Sequence, residues 1–82
     1  MFKWRMVSWE EYYKTKLEML DKLTKLPRKS TFIQRFNTSD RHVEVLYFEG
    51  RPVMGVKEVL YQCGGYVKGR PKICRDYYVL EV

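Results

Sequence analysis

The feature that most constrains the fold of this chain is a change of hydrophobic period near residue 27. Before that point, apolar residues recur at helical spacing; after it, short apolar runs alternate every second residue and are separated by turn residues. A helix followed by a series of strands is typical of an α+β domain. We therefore expect one N-terminal amphipathic helix packed on a mainly antiparallel sheet of about four to five strands.

The expected helix has clear signals at both ends. Ser8 is an N-cap residue, and Glu11 three positions later completes a capping box. Pro27 disfavours helical geometry at the residue before it, so the helix should run over about residues 9–25. The residues predicted to pack on the sheet are Trp9, Tyr13, Leu17, Leu20 and Leu23. The apolar face of the helix is widened by Tyr12, Met19 and Leu26.

The strands are predicted from alternation between polar turns. They cover residues 31–36, 41–48, 53–62 and 72–82, with a further strand at residues 1–6 or a frayed terminus there. The last run carries large side chains on both faces. A strand of that kind is typical of the inside of a sheet or of a subunit contact.

The tripeptide Gly-Arg-Pro occurs twice, at residues 50–52 and 69–71. Each copy fits a hairpin turn in which glycine accepts positive φ. Folding the chain about Lys68 and Gly69 sets Val67 opposite Arg70 and Tyr66 opposite Pro71.

The same folding sets Cys63 opposite Cys74. The Cα separation expected for such a pair, about 5.5 Å, lies in the range of a disulfide. Both a bridge and two buried free thiols remain open. Disulfides are rare in ordinary cytosol but occur inside hyperthermophiles, so the pair bears on the source of the protein as well as on its stability.

The second Gly-Arg-Pro copy lies in the run Lys-Gly-Arg-Pro-Lys at residues 68–72. This run resembles the core of an AT-hook, a family that lays an extended Arg-Gly-Arg-Pro segment along the minor groove. Lys68 stands where that family has arginine. The resemblance implies DNA contact at these residues, and the alternative interpretation is a hairpin turn.

Positive charge is the main indication of function. The chain has a formal net charge of +6, and its basic residues cluster in two segments without acids. Such clusters flanked by aromatic residues suit phosphate contacts and base stacking, although a solvated basic surface is the simpler alternative. The candidate nucleic-acid-binding residues are Lys25, Arg28, Lys29, Arg35, Tyr66, Lys68, Arg70, Lys72 and Arg75.

No catalytic or metal site is predicted. His42 is the only histidine, and neither a Ser/His/Asp arrangement, a zinc spacing nor a glycine-rich phosphate loop can be read from the sequence. We expect no cofactor, no metal and no small-molecule substrate. The enzymatic alternative is an RNA-cleaving toxin of the bacterial RelE/ParE kind, which is similarly small, basic and rich in sheet but usually has two N-terminal helices.

Length and hydropathy set the remaining expectations. A chain of 82 residues is expected to form a single domain, and it contains neither a leader nor an apolar run long enough to cross a membrane. We expect an intracellular protein, in the host cell if it is viral. In its shortness and its content of tyrosine and lysine the chain resembles many proteins of viruses and mobile elements of thermophilic archaea.

Two non-enzymatic functions compete. The first is DNA or RNA binding with little sequence specificity, with a possible regulatory role. The second is a protein-interaction module or homodimer, of the kind that a small viral or mobile-element protein uses on a host protein. The aromatic content of 16% is consistent with both functions. It exceeds what one small core holds, so some aromatic side chains should face a ligand or a partner. The acid-free clusters favour nucleic acid.

Overall fold

One helix lies across one face of an antiparallel sheet in the part of the chain that the structure describes. This computed structural model describes residues 2–82, and Met1 lies outside the described residues. The elements are β1 (Lys3–Val7), α1 (Trp9–Lys25), a 3-10 turn (Arg28–Ser30), β2 (Thr31–Asn37), β3 (Arg41–Phe48), β4 (Arg51–Val67) and β5 (Arg70–Glu81). Within residues 2–82 the sheet has five strands in the order β1-β5-β4-β3-β2.

The expected α+β class is confirmed, with one correction. A strand precedes the helix, so α1 is the second element of the chain and not the first. The strand predicted at residues 1–6 is present as β1 over Lys3–Val7, and the part of that prediction that falls on Met1 lies outside the described residues. β5 lies between β1 and β4, which confirms that the last apolar run is inside the sheet.

α1 begins and ends at the predicted residues, and the Ser8 half of the expected capping box forms. The Ser8 Oγ accepts a hydrogen bond of 3.3 Å from the Glu11 backbone N–H, which stabilises the first turn. The Glu11 carboxylate itself contacts the Arg5 guanidinium at 3.3 Å. At the other end, Leu26 has extended geometry with ψ of 154°, as expected before Pro27.

The prediction of which helix face meets the sheet is wrong. Tyr12 and Met19 are the buried helix residues, only 2% and 0% exposed, and they pack with Leu46, Val56 and Val79 of the sheet. Of the predicted set, Leu23 packs against this core, whereas the others are exposed: Trp9, Tyr13, Leu17 and Leu20.

The reason is that α1 is apolar on two adjacent stripes, and a sheet can cover only one of them. Ser8 alone separates β1 from α1, so the pairing of β1 with β5 fixes how the helix is rotated when it starts. That rotation is a tertiary constraint. It turns Tyr12 and Met19 inward and leaves the neighbouring stripe outside.

Two hairpin turns have the same conformation. Glu49 and Gly50 have φ of 53° and 77°, and so do Lys68 and Gly69. Positive φ at both central residues is the signature of a type I′ turn, which matches the twist of the flanking strands. Each Gly-Arg-Pro copy therefore has its glycine in a hairpin turn and its Arg-Pro pair at the start of the next strand. Lys68 and Gly69 lie in the turn, so residues 68–72 are not extended throughout, contrary to what the AT-hook resemblance implies.

The core assignment predicts a sharp contrast between two residues of α1. Met19→Ala should lower the free energy of unfolding by about 2–5 kcal/mol, because it leaves a cavity between helix and sheet. Leu17→Ala, on the exposed stripe, should cost less than about 0.5 kcal/mol in dilute protein. Urea denaturation of the two variants measures both values, and a larger loss for Leu17→Ala than for Met19→Ala would contradict the core described here.

Burial of Tyr12 predicts a loss of stability at alkaline pH. Burial raises the pKa of the Tyr12 phenol from 10.0 to about 12, and the Glu58 and Glu44 carboxylates act in the same direction. The folded protein then keeps a proton that the unfolded chain loses above about pH 10, so the free energy of unfolding should fall as pH rises from about 10 to about 12.

Urea denaturation at about pH 9 and about pH 11 should show a smaller fall for Tyr12→Phe than for the unchanged protein. Tyr13→Phe is the matched control, because Tyr13 is exposed on the same helix. An equal fall for all three proteins would contradict the assignment to Tyr12.

Candidate nucleic-acid interface

The β4–β5 hairpin extends well beyond the rest of the sheet. β3 pairs with β4 only as far as Val59, and β1 pairs with β5 only as far as Tyr77. Residues 61–75, here called the arm, are therefore a two-stranded ribbon whose strands pair only with each other. The arm gives the molecule its length, with principal extents of 50 × 22 × 22 Å.

The arm carries four of the candidate cations and no acid. Lys68 lies in the turn at the tip, and Arg70, Lys72 and Arg75 follow on β5. All four side chains are exposed, and among residues 2–82 none of them forms an ion pair. Because side chains alternate along a strand, Arg70 and Lys72 lie on one side of the ribbon and Arg75 on the other.

Tyr66 also lies on the arm, and its pairing is as predicted. It faces Pro71 while Val67 faces Arg70. Tyr66 is exposed, so its ring is available for stacking. The structure thus brings together five of the nine candidate residues: Tyr66, Lys68, Arg70, Lys72 and Arg75.

A disulfide joins the two strands of the arm. Cys63 and Cys74 are bonded, with a Cα separation of 5.6 Å inside the usual range. The predicted register is wrong at this point, because Tyr61 and not Cys63 stands opposite Cys74. The ladder shifts between Gln62 and Tyr66, where two glycines lie, and the bridge ties the strands together beside that irregularity.

The basic residues around the helix C-terminus form a separate group. Lys25, Arg28 and Lys29 lie near the start of β2, at the end of the sheet where Thr31 faces Phe48. The arm leaves the sheet from the opposite end. Lys25 is paired with Asp21 at 2.9 Å, and Arg28 lines a surface pocket of about 450 Å³. The structure does not bring these three residues to the arm.

Arg35 lies in a third location, apart from the arm and from the helix C-terminus. It is part of a cluster of side chains around one buried carboxylate. Glu44 is only 4% exposed, and its Oε2 lies 4.0 Å from Arg35 Nε, 3.9 Å from Lys16 Nζ and 2.5 Å from His42 Nε2. The other ring nitrogen of His42 contacts the Asn37 side-chain oxygen. A buried carboxylate needs such partners, so the cluster compensates the charge of Glu44.

The sheet face opposite α1 is open and aromatic. The aromatic content predicted that some rings lie outside the core, but not which ones or on which face. Phe32 and Tyr47 stack at 4.9 Å between ring centroids with an interplanar angle of 6°. Lys57 Nζ lies 4.8 Å from the Trp4 ring and 4.6 Å from the Tyr78 ring. Alternation in β1 and β2 signals an apolar face, but it does not show that the face is uncovered.

The charged group at the centre of this face is partly desolvated. Burial lowers the pKa of the Lys57 ammonium, and the nearby Arg41 charge acts in the same direction. Side chains alternate along β5, so its even-numbered residues share one side. Tyr78 on the aromatic face therefore points to the same side of β5 as Arg70 and Lys72 on the arm. The aromatic face therefore continues into one side of the arm.

Two kinds of site are not found among residues 2–82. No group of three His, Cys, Asp or Glu side chains is placed to hold a metal ion. No helix combines the length and the hydropathy needed to cross a membrane.

Comparison with protein-family models, with curated proteins and with solved structures gave no match to this chain.

Proposed function

We propose that this protein binds duplex DNA through the arm, without catalysis and with little sequence preference. The observation that carries the proposal is the projection of a two-stranded ribbon bearing four exposed cations and no acid. Cations that replace condensed counterions on phosphates supply most of the affinity in binding of this kind.

The shape of the arm favours B-form DNA. The major groove of B-DNA is about 12 Å wide and admits a two-stranded ribbon. Cations on both sides of the ribbon and at its tip can then reach phosphates on both walls of the groove. The major groove of A-form RNA is too narrow for side-chain readout, so duplex RNA should bind more weakly.

The disulfide supports binding by reducing its entropic cost. Without the bridge, a projecting hairpin of this length would lose more conformational freedom on contact with DNA, and that loss would weaken binding. The Cys63–Cys74 bridge holds the strands together before contact. Slight sequence preference is expected, because most of the exposed polar side chains of the arm are phosphate-binding cations.

The proposal predicts a specific change in salt dependence. The logarithm of the DNA affinity should fall linearly with the logarithm of salt concentration, by about 0.9 per phosphate contact. The double variant Arg70→Ala/Lys72→Ala should flatten this slope by about two phosphate contacts. Fluorescence anisotropy with a labelled duplex of about 20 base pairs measures the slope.

The matched control is Lys3→Ala/Lys22→Ala, which removes the same charge from β1 and α1 and should leave the slope close to that of the unchanged protein. A further variant, Arg28→Ala/Lys29→Ala, tests whether the group at the opposite end contributes. Equal flattening by the control, or no binding at about 50 mM salt and micromolar protein, would refute the proposal.

A further inference from the structure

We propose that two copies of this chain associate edge to edge, with β2 of one copy pairing antiparallel with β2 of the other across a two-fold axis at Gln34. The two five-stranded sheets then join into one continuous sheet. This inference concerns self-association and does not depend on the proposed DNA binding.

The outer edge of β2 carries backbone groups without a partner strand. Among residues 2–82, β2 is last in the strand order and pairs only with β3. At the two ends of that pair, Glu49 N–H donates to the Ser30 carbonyl at 2.8 Å and Thr38 N–H donates to the Arg41 carbonyl at 2.9 Å. Because ladder bonds alternate in an antiparallel pair, the even-numbered residues of β2 direct their backbone groups at β3. Its odd-numbered residues direct theirs outward, where a further strand can pair with them.

The two outer strands of the sheet differ in how well they resist such pairing. Short length, charged side chains, proline and bulges keep an edge strand from pairing with another chain. β1 is only five residues long and carries Lys3 and Arg5. β2 has seven residues, contains neither proline nor lysine, and pairs with β3 without a bulge. Its one charged residue is Arg35, so β2 is the less protected edge.

The side chains of β2 on the open aromatic face are arranged symmetrically about Gln34. Phe32 and Phe36 lie two residues before and two residues after it, and they are 53% and 58% exposed. An antiparallel register that pairs the whole of β2 sets Gln34 opposite Gln34 of the other copy, and Phe32 opposite Phe36. These are non-hydrogen-bonded positions of the new pair, where opposed Cα atoms lie only about 4.5 Å apart and side chains meet.

The backbone groups match in the same register. Ile33 of one copy and Arg35 of the other form a hydrogen-bonded pair, and this pair occurs twice across the axis. At each end, Asn37 N–H donates to the Thr31 carbonyl, whereas Thr31 N–H already donates to the Arg28 carbonyl of its own copy. The contact therefore contains about six backbone hydrogen bonds.

The two ends of β2 carry opposite charge, which selects the orientation and the occupant. Arg28 and Lys29 precede β2, and Asp40, the only acid between residues 22 and 43, follows it. None of the three forms an ion pair among residues 2–82. Antiparallel pairing brings Asp40 of one copy beside Arg28 and Lys29 of the other at both ends, whereas parallel pairing would bring like charges together.

Three further cations lie near this contact, and none directly opposes its own copy. Lys25 pairs with Asp21 at 2.9 Å. Arg35 faces Ile33 of the other copy, and its Nε lies 4.0 Å from the Glu44 carboxylate of its own. Arg41 belongs to β3, one strand inside the edge, and its charge acts on Lys57 of the open aromatic face.

The arrangement changes which basic groups share one end of the sheet. Leu60 N–H donates to the Asp40 carbonyl at 2.8 Å, so the arm leaves the sheet at the end where Asp40 lies. Within one copy, Arg28 and Lys29 lie at the other end. Antiparallel pairing places Arg28 and Lys29 of one copy at the same end of the joined sheet as the arm of the other.

Sedimentation velocity over a range of protein concentrations tests the inference. The unchanged protein should shift from 10.0 kDa toward twice that mass as concentration rises. Gln34→Lys sets two ammonium groups opposite each other at the axis and should weaken dimerisation at least about 10-fold. Gln62→Lys is the matched control, because it makes the same change of charge at an exposed glutamine of the arm, and it should leave dimerisation unchanged.

A mixing experiment tests the register. Gln34→Glu alone also sets like charges together and should weaken dimerisation at least about 10-fold. An equimolar mixture of Gln34→Lys and Gln34→Glu should dimerise at least as tightly as the unchanged protein, because residue 34 of one copy faces residue 34 of the other. Circular dichroism should show the same fold for every variant, since Gln34 is exposed.

Three results would overturn the inference. The first is a monomer at every concentration up to about 500 μM, at which even a weak specific dimer is populated. The second is dimerisation that is unaffected by Gln34→Lys or lost in Gln62→Lys. The third is a mixture of the two Gln34 variants that dimerises no better than either variant alone.

Discussion

The packing of Tyr12 and Met19 against Leu46, Val56 and Val79 is the contact on which the rest of this structure depends. It is the core that joins helix to sheet, and it holds α1 in the rotation that the pairing of β1 with β5 sets. Once these side chains face the sheet, the neighbouring apolar stripe of α1 must face away from it, because the two stripes lie side by side on the same helix. The open aromatic face follows as well, since the one helix of residues 2–82 covers a single face of the sheet.

The arm has a different physical basis from this core. Its order comes from a type I′ turn, a ladder of backbone hydrogen bonds and a disulfide, and its exposed residues contribute little buried area. Because the arm contributes little buried area to the core, its projection favours a role in contacting a partner. Four of the six excess positive charges of the chain lie on it, whereas all ten acids lie elsewhere, so its electrostatic field favours a polyanion.

Local signals in the sequence predicted local structure well. The Ser8 cap and Pro27 gave the bounds of α1, and the Gly-Arg-Pro copies gave both hairpin turns, because each signal acts through its immediate neighbours. The errors arose where distant parts of the chain decide. The buried face of α1 depends on how β1 pairs with β5, and the register at Cys63 depends on a shift that two glycines permit. Likewise, the separation of Arg28 and Lys29 from the arm follows from strand order, which charge clustering along the chain does not reveal.

The central claim is that the arm is the surface that meets nucleic acid, and NMR titration tests it most directly. Backbone amide resonances of the labelled protein, followed while a short DNA duplex is added, report which residues experience the contact. We expect shifts and broadening concentrated in residues 61–75, strongest near Lys68, Arg70 and Lys72, with the resonances of α1 and of the 3-10 turn unchanged. Shifts centred on residues 25–29, or none at saturating duplex, would contradict this account.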